Sequence, residues 1–268
     1  MKKNLFFTLL TSLLVSSCEL TAQFKHQFNQ DWSNKVVKAN GNYVTKTIYP
    51  RDFNHIVLQA CNEVEYTQQP GKPAVEVYTS ENILEVMDIK VKGATLYIGW
   101  KEGYNVRYND LTVRINSAAL QEVNILGSGE FDFKNGLESD QLKLSVAGSG
   151  SIEGNGFNCT RRMECSIAGS GSISLEGLQT PKIDTSIAGS GEMELKGAAE
   201  KAAYDIAGSG EMECEDLEVQ NMYVSIAGSG DVTCFAVKTL KVDIGGSGNV
   251  RYKGNPELDV PKRGVRKL

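Results

Sequence analysis

The chain has 268 residues, a formal net charge of −5, 41% hydrophobic residues, 27 glycines and two histidines. That length can bury a continuous core. An acidic balance without aromatic–basic interleaving argues against nucleic acid, and two histidines with no Cys-x-x-Cys leave the usual zinc spacings unfilled.

Met1-Lys2-Lys3 is a short basic start, and Leu5 to Val15 is an apolar run of eleven residues. The run is too short to span a bilayer. Residues 1–22 therefore read as a secretory signal peptide. Two processing sites compete. Val15-Ser16-Ser17-Cys18 resembles a bacterial lipobox, which would make a lipidated Cys18 the mature N-terminus. Leu20-Thr21-Ala22 before Gln23 is the alternative, an ordinary signal-peptidase site. Lipidation is the preferred reading. It places the protein in the cell envelope as an outer-membrane lipoprotein facing the periplasm or the cell surface. A soluble periplasmic or secreted form is the alternative. Residues 23–40, with His26, read as a flexible leader.

Residues 41–261 read as a single domain. Its first part, 41–122, has strand-like runs at Ile56–Leu58, Val75–Tyr78, Thr95–Ile98 and Leu111–Ile115. The segment from Ile56 to Tyr66 lies over Val123 to Phe133 with its alternation intact, and Ala60-Cys61-Asn62 replaces a later Gly-Ser-Gly. The stretch 41–122 is therefore read as degenerate coils of the architecture that follows. It holds an aromatic cluster, Tyr97, Trp100, Tyr104 and Tyr108. Such a cluster is a candidate carbohydrate-binding face. The plainer reading is a coil insert whose rings cap one end of the stack.

From 123 to 255 one phrase dominates. Gly-Ser-Gly begins at Gly127, Gly148, Gly169, Gly189, Gly208, Gly228 and Gly246, at intervals of 21, 21, 20, 19, 20 and 18 residues. A fixed period near twenty marks a solenoid in which no coil buries its apolar face alone. Two residues before each triplet stand Ile125, Val146, Ile167, Ile187, Ile206, Ile226 and Ile244. Four after its first glycine stand Phe131, Ile152, Ile173, Met193, Met212, Val232 and Val250. This apolar–polar alternation has the period of strands with one buried face. Identical phases predict parallel, in-register coils. Both triplet glycines fall on the inward parity and the serine on the outward one, so the wall should bend where the interior has no room for a side chain. A phosphate loop is rejected because a strand, not a helix, follows each copy.

Cys165, Cys214 and Cys234 share the inward parity and read as small buried hydrophobes. Cys214 and Cys234 occupy one phase in adjacent coils and should stack as free thiols. Cys159 reads as a turn residue and Cys61 as outward. The residue after each triplet gives a carboxylate ladder, Glu192, Glu211 and Asp231. It is a candidate cation or ligand site, calcium above all, against the plainer reading of a solvated, splayed face. No metal or other cofactor is assigned. Residues 262–268 form a short basic tail, read as a solvated end.

A lipoprotein-type signal, a degenerate strand-rich half and the tandem Ile-Ala-Gly-Ser-Gly at Ile167, Ile187, Ile206 and Ile226 together resemble the "putative auto-transporter adhesin, head GIN domain" family. The resemblance covers roughly residues 48–255. It implies an all-β fold, a right-handed parallel β-helix, in an envelope protein of Bacteroidetes. The chain departs from the pattern after Gly254-Asn255-Pro256, where Lys262-Arg263-Gly264-Val265-Arg266 replaces a further triplet. The expected function is an exported, lipid-anchored β-solenoid that binds at a surface as an adhesin-like module. Its partners would be envelope or host glycans or proteins. The alternatives are a polysaccharide lyase or hydrolase built on the same helix, and a purely structural envelope protein. The chain is read as a non-enzyme, since the carboxylates align in one row and no nucleophile constellation gathers round His55.

Overall fold

The computed structural model describes residues 35–59 and 63–268. The signal segment with Cys18, the stretch holding His26, and Ala60-Cys61-Asn62 lie outside the described residues.

The first half holds β1 (Lys35–Lys38), β2 (Tyr43–Ile48), β3 (His55–Leu58), β4 (Glu63–Gln68), β5 (Ala74–Ser80), the single helical turn α1 (Glu81–Leu84), β6 (Met87–Lys92), β7 (Thr95–Trp100), β8 (Tyr104–Arg107) and β9 (Leu111–Ser117). The repeats hold β10 (Glu122–Gly127), β11 (Glu130–Phe133), β12 (Leu137–Gly148), β13 (Ser151–Gly169), β14 (Ser172–Gly189), β15 (Glu192–Gly208), β16 (Glu211–Gly228), β17 (Asp231–Gly246) and β18 (Asn249–Lys253), followed by β19 (Glu257–Asp259) and β20 (Val265–Lys267).

The chain is all-β and coils into a β-solenoid with about twenty residues per turn. Each full coil lays down three walls. Wall A leads into the triplet, wall B leaves it, and a short wall C closes the turn. For β14 on β15 these are the ladders Ile183↔Ala202 to Gly189↔Gly208, Ser172↔Glu192 to Leu175↔Leu195, and Leu178↔Gly197 to Thr180↔Ala199. Every repeat-to-repeat pairing is parallel, and the triplets align across coils.

The inward columns form the core. Ile125, Val146, Ile167, Ile187, Ile206 and Ile226 are each at most 2% exposed, while the serines of the triplets are exposed. Wall B stacks Phe131, Ile152, Ile173, Met193, Met212, Val232 and Val250, all buried. Next to that column Gly154 takes a leucine's place because the Phe157 ring fills the space. A Cβ on Gly154 would lie 2.8 Å from Phe157 Cζ. Cys159 is not a turn residue. It points inward on wall C and is 1% exposed, since the chain there continues as strand.

The two triplet glycines do different work. The first has φ between +127° at Gly127 and +150° at Gly246, a region costly for any residue with a Cβ. From Gly148 onward a Cβ there would strike the backbone of the coil below, as at Gly208, 2.3 Å from Gly189 O. The second is buried, and a Cβ on Gly210 would lie 2.6 Å from Ile187 Cγ2. Only the second glycine is thus inward in the sense the parity implied. The backbone ladder runs through the bend unbroken, with Ser209 N donating to Gly189 O and Glu211 N to Gly191 O.

The first half departs from plain coils. β3 and β4 stack in parallel beneath β10 and β11, with Ile56↔Val123, Leu58↔Ile125, Val64↔Phe131 and Tyr66↔Phe133. β7 and β9, later in the chain, stack on the far side of β3 and β4. Beyond them the pairing turns antiparallel: β6 on β7, and β2 on β5 on β9. Antiparallel strands thus line that end of walls A and B. Two assignments at the margins also change. Lys35–Lys38, within the expected leader, pairs with β8. The basic tail is not free either, because Val265 pairs with Val250 and Arg266 with Arg251.

Candidate functional site

The outer rows of wall A form a flat ladder of small side chains. One row reads Ser145, Ser166, Ser186, Asp205, Ser225 and Asp243, and the next Ala147, Ala168, Ala188, Ala207 and Ala227, each in register with its neighbour. Rows of this kind recur at about 4.8 Å. Ser166 Oγ donates to Ser145 Oγ at 2.9 Å. Asp205 is half-buried in this row. Burial raises its pKa and the hydrogen bond with Ser225 opposes the rise.

The carboxylate ladder is brought together as the spacing implied. Glu192 is in register with Glu211, and Glu211 with Asp231. Asp231 accepts from Asn249 Nδ2 at 2.8 Å. The outward row beside it is treated differently. Glu194 meets Lys196 at 2.8 Å and Ser174 at 3.1 Å, and the Lys196 hydrogen bond chiefly lowers its pKa. Among the described residues no group of three or more His, Cys, Asp or Glu is placed to hold a metal ion. The three carboxylates of the ladder stand on one side of any glycan laid across them.

The aromatic quartet is only partly gathered. Trp100 and Tyr108 meet with ring centroids 5.3 Å apart and planes at 50°, and both pack against the core. Tyr97 and Tyr104 are half-buried on β7 and β8. His55 Nδ1 lies 3.7 Å from Glu122 Oε2, and that glutamate also faces Lys143 and Asn124.

Inside, four cysteines are free and buried: Cys159, Cys165, Cys214 and Cys234. Cys214 and Cys234 are register partners. Burial pushes the thiols of Cys214 and Cys234 up to about 12 and that of Cys159 to about 11, and it raises Cys165 well beyond its ordinary range. Tyr204, fully buried beside Cys214, is raised for the same reason. Such thiols are packing groups, since only a thiolate is nucleophilic.

Two surface hollows were not legible in the sequence. One, of about 390 Å³, runs along wall C past Asn158, Gln179, Ala198 and Glu218. The other, of about 400 Å³, lies at the C-terminal end and is lined by Asp231, Asn249, Arg251, Gly264, Val265 and Arg266. Nothing short of the docking of β20 on β18 would have revealed the second. Among the described residues no helix is long and apolar enough to cross a membrane.

Comparison with known proteins agrees with this architecture. The family model described as "Putative auto-transporter adhesin, head GIN domain" matches residues 52–177 and 159–256. Among solved structures, a "Putative lipid binding protein" from Parabacteroides distasonis ATCC 8503 is 31% identical, with a TM-score of 0.82 over 87% of this chain and 100% of that one. A "putative adhesin" from Parabacteroides merdae ATCC 43184 is 29% identical, with a TM-score of 0.81 over 87% of this chain and 99% of that one. A second Parabacteroides distasonis "putative adhesin" is 26% identical, with a TM-score of 0.79 over 87% and 100%. No curated protein matches.

Proposed function

The chain belongs to the "Putative auto-transporter adhesin, head GIN domain" family, and we propose from that premise that it is an adhesin-like surface-binding module of the cell envelope. The observation that carries the proposal is the outer surface of the coils. Its rows of Ser, Ala and carboxylate side chains are in register over several coils, a flat repetitive face suited to an extended glycan or protein surface. Glycoside cleavage needs carboxylates on both sides of the scissile bond, and the ladder Glu192, Glu211 and Asp231 offers one side only. The interior columns are filled by side chains, so a lipid, as in the description of the Parabacteroides distasonis relative, would also have to bind on the outside.

Export and lipidation at Cys18 complete the proposal, supported by the basic start, the short apolar run and the lipobox-like Val15-Ser16-Ser17-Cys18. A lipidated N-terminus would hold the solenoid at a membrane surface through several acyl chains, one alone being a marginal anchor. Two experiments test this reading. A glycan array and an envelope pull-down with the folded domain should return saturable binding to a defined set of glycans or envelope proteins. Blank results in both refute it. Mass spectrometry of the mature protein should find acyl groups on Cys18, whereas an unmodified start at Gln23 refutes the anchor alone.

A further inference from the structure

The C-terminal end of the solenoid sets two like charges side by side. Arg251 of β18 and Arg266 of β20 are register partners on adjacent parallel strands, about 4.8 Å apart along the stack. Like charges so placed repel. Three other guanidinium groups of this chain are answered by acceptors. Arg114 meets Glu65 and Glu76, Arg162 meets Glu164 and Asp184, and Arg51 donates to Val91 O. The guanidinium groups of Arg251 and Arg266, like those of Arg107, Arg161 and Arg263, make no ion pair or hydrogen bond among the described residues. Both line the hollow of about 400 Å³ together with Asp231 and Asn249. Residues 249–268 carry six basic and two acidic side chains in a chain whose net charge is −5.

We propose that this hollow binds the carboxylate of an acidic sugar, a uronate or sialate residue within a glycan. The inference rests on the surface-binding reading and gives it a ligand class. Two planar guanidiniums offer parallel N–H donors that match a carboxylate. Two positive charges with the one negative charge of Asp231 leave a balance suited to a monoanion, which favours a carboxylate over a phosphomonoester. The Asn249 Nδ2–Asp231 Oδ1 bond of 2.8 Å leaves Asp231 Oδ2 and Asn249 Oδ1 as acceptors for the hydroxyls that neighbour a sugar carboxylate. The basic end of the rod draws acidic glycans toward the site at low salt.

The test is calorimetric titration of the folded domain with galacturonate oligosaccharides, sialyllactose, lactose and inorganic phosphate, and with phosphatidylglycerol vesicles as a separate arm. The expected result is saturable binding of one of the acidic sugars, weaker or absent binding of lactose, and a loss of tenfold or more in R251Q/R266Q. R251K/R266K, which keeps the charge without the planar fork, should recover only part of the affinity. Removing mutual repulsion should leave the unfolding midpoint of R251Q/R266Q unchanged or raised, so loss of binding will not reflect unfolding. Undiminished acidic-sugar binding in R251Q/R266Q overturns this site and leaves the surface-binding reading standing. Tighter binding of phosphate or of the vesicles overturns the ligand class. Acidic sugars failing to bind while neutral glycans do bind overturns the site alone; no glycan binding together with an empty pull-down overturns both.

Discussion

Replacing Gly210 by alanine should destabilise the solenoid through one identifiable contact. The added methyl would sit 2.6 Å from Ile187 Cγ2 and 2.9 Å from Gly191 O, closer than real Cβ atoms come. Overpacking of this kind costs roughly 1–3 kcal/mol. Gly208→Ala should cost more, about 2–5 kcal/mol, because its backbone at φ +135° is itself unfavourable for a residue with a Cβ and Gly189 O lies 2.3 Å from the new methyl. Ser209→Ala, exposed between them, should stay within about ±0.5 kcal/mol. Urea unfolding midpoints with unchanged slopes measure all three. A double-mutant cycle isolates the contact. Ile187→Ala alone removes a buried side chain at about 2–5 kcal/mol, and Gly210→Ala on that background should cost less than it does alone, since the methyl now enters vacated space. Equal midpoint shifts for the glycine and serine variants, or a strictly additive cycle, would refute the reasoning about the bend.

Four further outcomes follow from the geometry. The unfolded thiols titrate near the ordinary value of 9 and the folded Cys214 and Cys234 near about 12, so the native state holds more protons in that window. The stability these two thiols contribute should therefore be full below pH 9 and be lost as pH rises toward 12, so the alkaline decline should be less steep in C214A/C234A. The same two thiols should resist alkylation until the protein unfolds and then react without reductant, whereas a recovered peptide linking them contradicts the packing assignment. In the carboxylate ladder, E211Q should stabilise by about 0.2–1 kcal/mol at low ionic strength and by less in high salt; a calcium-dependent rise in melting temperature that E211Q abolishes would show a cation site instead. Gln68, whose amide accepts from Glu138 N at 2.8 Å and donates to Glu138 O at 3.0 Å, acts as a strand partner where wall C begins, so Q68A should cost about 1–2 kcal/mol in the same urea assay.

The parts of the fold that repeat were legible because parity is local. The period-two alternation around Ile167, Ile187, Ile206 and Ile226 fixes which side chains are buried, and the match of Ile56–Tyr66 to Val123–Phe133 found a true register pair sixty-seven residues apart. Parity does not say which strand lies next. An alternating run looks the same in a parallel and an antiparallel ladder, so the stacking of β7 and β9 outside β3 and β4, and the antiparallel pairs at that end, were not readable. One signal was available: Gly93-Ala94 between the runs of β6 and β7 is a two-residue connection with Gly93 at φ +58°, typical of a tight hairpin. Cys159 was misplaced because its Gly- and Asn-rich surroundings, which serve the corner from wall B to wall C, resemble a loop. The candidate ladder was legible from spacing alone. The Arg251–Arg266 hollow was not, because β20 reaches β18 only after a turn that lacks the repeated triplet.

The proposed binding of glycans without cleavage is tested most directly by one measurement. A polysaccharide or oligosaccharide retained by the folded domain is recovered after prolonged incubation, and its mass distribution is compared with that of the untreated material. Binding without chemistry predicts an unchanged distribution and full release of intact chains at high salt. Shortened chains, with a new reducing or unsaturated end that grows with time and protein concentration, would contradict the account.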